Sequence, residues 1–183
     1  MTQTPMLRDI RRIVTEDDLQ GRSRIAEDAS CKAVRTVPER PGYQAVNVWR
    51  TESAPARINA PDTVASHKGI SPPKGGGSIL RIIDIPPEPN DPAELRRIVH
   101  ATFGDMYQDA QHDKRDGKHP AMHRTLTVDY AILLEGELHA VMDEGETLMR
   151  AGDVLIQRGT NHAWANRSNK MARIAFVLID GRL

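Results

Sequence analysis

The sequence predicts an all-β fold in which an antiparallel barrel carries an N-terminal arm of strands and a single helix. Six short segments of alternating or continuous apolar residues follow one another between residues 127 and 179. Short turns with glycine beside acidic residues connect them. Only one segment of the chain repeats its apolar residues with a helical period. Closely spaced strands of this kind form a sandwich or a small barrel.

The predicted strands fall into two groups. Those of the second half are 127–134, 137–142, 146–149, 154–157, 162–165 and 172–179. In the first half, proline or glycine residues flank each predicted strand. These strands form an arm or part of the sheet and are 32–37, 44–50 and 78–85. Together these strands suffice for an antiparallel barrel of eight or more strands, whose closure removes exposed sheet edges.

One helix is predicted, beginning at Asp91 and ending near Gln111. Asp91 is a suitable N-cap residue, Pro92 suits the first helical position, and Glu94 follows in the first turn. Its apolar residues recur at helical spacing and are Leu95, Ile98, Val99, Phe103 and Met106. The helix therefore either packs on the sheet or covers the mouth of a cavity. The segment 70–77, rich in proline and glycine, is predicted to be a mobile loop.

Composition and charge exclude several classes of protein. The 25 Lys and Arg residues balance the 25 Asp and Glu residues, so no net field attracts nucleic acid or an anionic membrane. The single cysteine, Cys31, forms no disulfide within the chain and fits a reducing compartment. No apolar stretch approaches the roughly 20 residues of a membrane-spanning helix. We therefore expect a cytoplasmic protein with neither nucleic-acid nor membrane partners.

A polar face on one predicted strand is the first candidate site. Because side chains alternate along a strand, the residues that share this face are His123, Thr125, Thr127 and Asp129. The face is either merely hydrated, as in half of an ordinary antiparallel sheet, or part of a site. The second interpretation is favoured by His162, which follows a glycine turn in another predicted strand.

Further histidines and arginines lie near this face in the sequence. His119 is an alternative third imidazole, because the extended entry to the strand lets it point the same way as His123. His112 lies beside the charge run 113–116 and is expected to have no function. Arg124 and Arg158 are expected to be surface residues.

Two spaced patterns cover the region 123–166. The first reads His-x-Thr-x3-Asp-x6-Gly from His123 to Gly136. The second reads Gly-x4-Gln-x-Gly-x2-His-x3-Asn from Gly152 to Asn166. They resemble the two-motif core of the cupin superfamily, and the whole chain resembles a small single-barrel protein of the cupin type 2 conserved-barrel kind.

The resemblance implies a conical antiparallel barrel, a jelly roll, whose wide end usually holds a divalent metal on three histidines and one glutamate. This chain departs from that pattern, because Thr125 stands at a histidine position, Asp129 at the glutamate position and Gln157 at a proline position. The reduced ligand set is then His123, His162 and Asp129, with Fe, Mn, Ni or Zn as the candidate ions. No nucleotide cofactor is expected.

Three functions stay open for such a site. The first is an enzyme that uses a metal on the reduced ligand set for dioxygenase or Lewis-acid chemistry. The second is a metal-free isomerase, dehydratase or decarboxylase with a histidine that titrates near neutral pH and Asp129 as acid and base, Asp129 fixing the tautomer of His123. The third is a non-catalytic protein that binds a small ligand. An enzyme is favoured, and the further residues predicted in the pocket are Thr125, Thr127, Gln157, Trp164 and His119.

The chain is predicted to be one structural domain in three parts, an arm and strands at 1–90, a helix and loop at 91–121, and the core strands at 122–183. Its predicted partner is a small-molecule substrate. The apolar strands of the proline-rich first half further suggest that a second copy packs across a two-fold interface, which predicts a homodimer.

Overall fold

Two antiparallel β-sheets face each other in the computed structural model, which describes residues 7–112 and 118–183. The predicted charge run 113–116 lies outside the described residues. The strands in chain order are β1 (Arg11–Asp17), β2 (Ser23–Ser30), β3 (Val34–Thr36), β4 (Gln44–Thr51), β5 (Ser78–Ile85), β6 (Gln111–His112), β7 (His123–Arg124), β8 (Thr127–Glu135), β9 (Glu137–Met142), β10 (Glu146–Arg150), β11 (Val154–Arg158), β12 (His162–Ala165) and β13 (Ala172–Asp180). Helix α1 spans Pro92–Met106, and a 3-10 turn spans Val64–Ser66.

The strand order separates the two sheets. One sheet has six strands in the order β11-β8-β13-β5-β4-β3, and the other has five in the order β10-β9-β12-β7-β6. Within the described residues no ladder joins the two sheets into one closed ring, so the barrel consists of two facing sheets. The predicted all-β fold with one helix is confirmed. The six strands predicted in the second half all form, each within one residue of its predicted end.

The N-terminal arm is the hairpin of β1 and β2, which forms a sheet of its own. Its strands were not predicted, because most of their side chains are exposed and show no apolar alternation. Cross-strand ion pairs hold them instead, with Arg11 donating to Asp28 at 2.6 Å and Arg12 to Glu27 at 2.8 Å. The three strands predicted at 32–37, 44–50 and 78–85 are part of the six-stranded sheet.

Helix α1 begins as predicted and ends earlier than predicted. The Asp91 carboxylate accepts a hydrogen bond from the Ala93 N–H, and Pro92 occupies the first turn. The helix ends at Met106 rather than near Gln111, because the chain turns after Tyr107 and Gln111 pairs with Arg124 in a strand ladder. No helix in the described part of the chain has the length and apolarity needed to span a membrane.

The core lies between the sheets. Alternate residues of β5, β8 and β13 point inward and are fully buried, as in Ile79, Ala131 and Ile174. Leu138 and Ala140 on β9 face them from the five-stranded sheet and are also fully buried. This packing leaves a cavity between the sheets beside α1.

The glycine-rich segment 70–77 contributes Ile70 to the wall of this cavity. Its backbone is held at both ends, since the Asp109 carboxylate accepts the N–H groups of Ile70 and Ser71, at 2.8 and 2.9 Å. The Asp180 carboxylate accepts those of Gly75 and Gly76 at 2.8 and 2.9 Å. Both glycines have a positive φ, which lets the two N–H groups converge on one carboxylate.

Candidate functional site

A cavity of about 80 Å³ lies between the two sheets beside α1. This volume holds several water molecules or part of a small organic ligand. Both sheets and the helix contribute to its wall, the helix through Thr102 and Phe103. The helix therefore covers this cavity as well as packing on the core. The apolar side chains that line it include Ile70, Ile83, Ile85, Phe103, Trp164, Phe176 and Leu178.

The strand ladders bring His123 and His162 together in the cavity wall. The two residues are partners in the ladder between β7 and β12, and their ring centroids lie 4.4 Å apart. His123 Nδ1 lies 2.9 Å from the Ala121 carbonyl, and His162 Nδ1 lies 2.9 Å from the Thr160 carbonyl. Because a carbonyl only accepts, Nδ1 carries the proton in both rings. Nε2 is then the nitrogen with the lone pair.

Both imidazoles are neutral at physiological pH. Burial, together with the neighbouring His162 ring, lowers the pKa of His123 to about 3. Burial likewise lowers the pKa of His162 to about 4. A histidine that titrates near neutral pH was expected here. For these two rings that expectation is wrong, since burial dominates both pKa shifts and no described carboxylate opposes them.

Asp129 enters the cavity from the opposite sheet. It lies on β8 and is 3% exposed, and its Oδ1 atom has no hydrogen-bond partner among the described residues. Burial raises the pKa of Asp129 to about 6, although a hydrogen bond from Thr127 opposes the shift. Asp129 does not fix the tautomer of His123 as predicted, because the Ala121 carbonyl does so. The carboxyl group is thus the one of these three groups that titrates near neutral pH.

The remaining predicted pocket residues divide into two sets. Thr125 and Trp164 line the cavity, and Thr127 is buried next to them with its hydroxyl 2.7 Å from that of Thr125. The structure does not bring Gln157 to the cavity, since its Oε1 accepts the N–H groups at the 158–160 turn. His119 also lies elsewhere, with Nε2 2.9 Å from a Glu88 carboxylate oxygen.

The two imidazoles are better placed to hold a metal ion than the full predicted ligand set of His123, His162 and Asp129. A ring whose Nδ1 proton is held by a carbonyl presents Nε2 in the orientation common among metal-ligating histidines. Among residues 7–112 and 118–183, however, no group of three His, Cys, Asp or Glu side chains is placed to hold one ion. Asp129 reaches the cavity from the facing sheet, and the Thr125 hydroxyl is already engaged with Thr127.

Sequence analysis missed the cationic and phenolic part of the wall. Arg40 and Arg81 line the cavity with Tyr43 and Tyr107, and all four are buried. A signal existed for Arg81, which shares the inward face of β5 with its apolar neighbours two residues away on either side. No comparable signal marks Arg40, which lies in a turn between β3 and β4. Arg124 and Arg158 are exposed, as predicted.

His112 was also missed as a neighbour of the site. It is the ladder partner of His123, so three neighbouring strands place His112, His123 and His162 in one row. Its ring stacks on Phe103 with 4.4 Å between centroids, and its Nε2 lies 2.7 Å from the Pro120 carbonyl. His112 thus supports Phe103, a residue of the cavity wall.

Comparison with known proteins gives relatives along nearly the whole chain, although no family model matches. The chain is 29% identical over 98% of its length to a phomopsin biosynthesis cluster protein of Diaporthe leptostromiformis, covering 83% of that protein. It is 28% identical over 96% of its length to a cupin-domain-containing oxidoreductase of Neurospora crassa, covering 78% of it. A solved cupin 2 conserved barrel domain protein from Salinispora arenicola matches 79% of this chain and 82% of its own with 13% identity and a TM-score of 0.40.

Proposed function

Because this chain belongs to the cupin superfamily, we propose that its cavity is the active site of a small-molecule enzyme that transfers protons without a cofactor. The observation that carries the proposal is a buried carboxylate oxygen without a described hydrogen-bond partner in the same cavity as two neutral imidazoles. Asp129 Oδ1 has no partner among the described residues, and it shares the cavity with the neutral rings of His123 and His162.

Asp129 is the general base in this proposal. Its raised pKa of about 6 leaves it ionised at pH 7 and close enough to neutrality to return the proton. A carboxylate in a partly dry cavity is suited to taking a proton from carbon next to a carbonyl. The neutral imidazoles accept hydrogen bonds at Nε2 from a substrate hydroxyl, or from the enol hydroxyl that forms when Asp129 delivers the proton it has taken to the former carbonyl oxygen. Isomerisation and dehydration of a small oxo compound use this step, whereas decarboxylation reaches the same enol by loss of carbon dioxide and then takes up a proton from the acid.

Aromatic side chains in the cavity wall shield the proposed reaction from water. Trp164 packs edge-on against Phe176 with 5.2 Å between centroids, and Phe103 packs edge-on against His123 at the same distance. These rings exclude water from the substrate chain and lower the local dielectric, which strengthens each hydrogen bond at the reacting atoms.

Proton exchange in deuterium oxide tests the proposal without knowledge of the natural substrate. The purified protein is incubated with 2-oxobutanoate, 2-oxohexanoate and 2-heptanone, and proton NMR follows deuterium entry next to the carbonyl. We expect exchange above the buffer rate with at least one compound, its loss in Asp129→Asn and its retention in Asp28→Asn, a control on the exposed arm. Exchange that is absent throughout, or equal in Asp129→Asn, contradicts the proposal.

A metal-dependent oxidoreductase is the second candidate. Two observations favour it, namely the two Nδ1–H groups held by carbonyls and the oxidoreductase names of several relatives. His123 and His162 would hold a divalent ion through Nε2, and such an ion supplies Lewis-acid or redox chemistry when bound. The chain's own residues would then orient the substrate and exclude water, as in the first candidate.

A further inference from the structure

We propose that Arg40 binds the carboxylate of the substrate, so that the cavity selects a small organic acid with an apolar carbon chain. The inference rests on the proposed function in taking this cavity as the substrate site, and it adds the class of substrate. It starts from a buried cation that lacks an anionic partner within the described residues.

Arg40 is 8% exposed, and its guanidinium lies 4.4 Å above the ring centroid of Tyr43. Its Nε atom is buried without a hydrogen-bond partner, and no carboxylate of the described chain forms an ion pair with it. The nearby Glu88 carboxylate attracts the Arg40 charge but forms no ion pair with it, since its Oε1 lies 2.9 Å from His119 Nε2. An unpaired buried charge costs several kcal/mol, so an arginine in this position is explained by an anionic partner other than the described residues.

The arginine is held in place before any ligand arrives. The Arg40 N–H donates to the Val37 carbonyl, and the Arg40 carbonyl accepts from the Tyr43 N–H, both at 3.0 Å. This turn and the ring contact with Tyr43 fix both ends of the side chain. A guanidinium held in this way loses little conformational freedom when it binds a carboxylate through two parallel hydrogen bonds.

Arg81 adds a second positive charge to the same wall. Its nitrogens donate to neutral acceptors only, the Asn47 side-chain oxygen at 2.8 Å and the Gly69 carbonyl at 2.7 Å among them. These bonds satisfy the donors of Arg81 but leave its charge without a described carboxylate. Two buried guanidinium groups therefore make this part of the cavity favourable for an anion.

A hydroxyl donor completes the anion site. Tyr43 and Tyr107 line the cavity with their hydroxyl oxygens 3.0 Å apart. Only one of the two hydroxyl protons is used between them, so the other is left to donate to a ligand oxygen. Burial and the neighbouring Tyr107 raise the pKa of Tyr43, which keeps its hydroxyl protonated.

Asp129 is not the missing counter-charge. It is the carboxylate in the cavity lining, yet burial raises its pKa and no arginine lowers it. A carboxylate close to a guanidinium would show the opposite shift. The cavity thus has a cationic part and a separate acid–base part, with Phe103, Trp164 and Phe176 in the same wall. This arrangement suits an acid whose carboxylate is at one end and whose reacting carbon is further along.

Calorimetry with two matched probes tests the inference. Hexanoate and hexanamide have the same chain and differ in charge. We expect the wild-type protein to bind hexanoate about tenfold more tightly or better, because hydrogen bonds to a charged partner contribute that much. Arg40→Met should remove the preference, Arg40→Lys should keep part of it, and Arg124→Gln, which removes an exposed arginine, should leave it unchanged. Equal binding of the two probes, or no binding of hexanoate, overturns the inference.

Thermal unfolding without ligand separates binding from a structural role. If the charge of Arg40 awaits a ligand, Arg40→Met is at least as stable as the wild type, since the unpaired charge is gone. A large fall in Tm in both Arg40→Met and Arg40→Lys would instead show a structural cation and overturn the inference. Asp129→Asn distinguishes this inference from the proposed function, because that variant should keep the hexanoate preference while losing proton exchange. A hexanoate preference without exchange refutes only the proposed function, and exchange without the preference refutes only the anion site.

Discussion

His123 and His162 each donate the Nδ1 proton to the carbonyl two residues before them, and the two rings lie 4.4 Å apart. The same local bond is therefore made twice on neighbouring strands. It fixes the tautomer of each ring by backbone alone and leaves both Nε2 atoms as acceptors. No carboxylate is needed for this orientation, which frees Asp129 for another role.

The two histidines should make the fold sensitive to acid. Their pKa values in the folded state, about 3 and about 4, lie below the value of about 6.5 for an unfolded chain. The unfolded state then binds more protons below pH 6.5, so the free energy of unfolding falls as pH decreases from about 6.5 towards 4. Denaturant unfolding of wild type and of the His123→Gln, His162→Gln variant measures this. We expect a shallower acid slope in the variant than in the wild type, and equal slopes would contradict this account.

Nitrogen NMR gives an independent check on the same pair. We expect Nδ1–H tautomers for both rings and no titration between pH 5 and pH 8. A mid-point near pH 6.5 in either ring would contradict the burial argument.

Asp129 should have the opposite effect on stability. Its pKa is about 6 in the folded state and near 3.8 in the unfolded state, so the folded state binds more protons between these values. The wild-type protein therefore loses stability as pH rises from about 4 to 6. Asp129→Asn removes the buried charge and should be more stable than wild type by up to about 3 kcal/mol at pH 8. The gain should vanish towards pH 4, and a variant that is less stable at pH 8 would refute this account.

The fold was largely predictable because its strands carry their own signals. The strands after Thr127 are short, alternate in polarity and end at glycine turns, and all of them form. The β1–β2 hairpin was not predictable in this way, since pairs such as Arg11 with Asp28 depend on two strands being adjacent. The end of α1 at Met106 depends likewise on a later pairing of Gln111 with Arg124.

The candidate site was predictable in part for a similar reason. His123, Asp129 and His162 lie at motif positions that a single sequence shows. Arg40 became a candidate only through burial and the absence of a described ion-pair partner, neither of which leaves a trace in its Pro-Glu-Arg-Pro-Gly context. Residue type alone predicts that histidine rather than aspartate titrates near neutral pH. Burial in the folded protein raises the pKa of Asp129 above that of His123, which the sequence does not show.

Metal binding is tested by elemental analysis of protein prepared without chelator, after separate addition of iron, manganese, nickel and zinc. If the second candidate function is correct, about one ion per chain is retained, and His162→Ala loses it. His139→Ala on β9 is the control and should retain the ion. No bound ion under any condition refutes the metal candidate and leaves the acid–base proposal untouched.

The homodimer was predicted from the apolar strands of the first half of the chain, whereas the structure exposes a candidate surface for it on strands of the second half. The outer face of β8 and β11 exposes a row of apolar side chains, which are Val128, Tyr130, Leu134, Val154 and Ile156. Since β11 is also an edge strand, we expect a second copy to cover this face. Light scattering should give the mass of two chains for wild type and of one chain for Val154→Lys with Ile156→Lys. The loop variant Ile58→Lys should stay dimeric, and a monomeric wild type would refute the prediction.

The ion pair of Arg173 and Asp84 should contribute strongly to stability. Both side chains are almost fully buried between neighbouring strands, and two guanidinium nitrogens donate to the carboxylate at 2.6 and 2.7 Å. Asp84 also accepts from the Gln44 amide at 2.6 Å, so the carboxylate is well satisfied. Asp84→Asn leaves the arginine charge buried without its partner and should lower the free energy of unfolding by about 3–5 kcal/mol.

Asp28→Asn, which breaks an exposed pair of similar geometry, should have a far smaller effect, because water already solvates that charge. Urea unfolding at pH 7 compares the two, and equal effects would show that burial does not decide the strength of this pair.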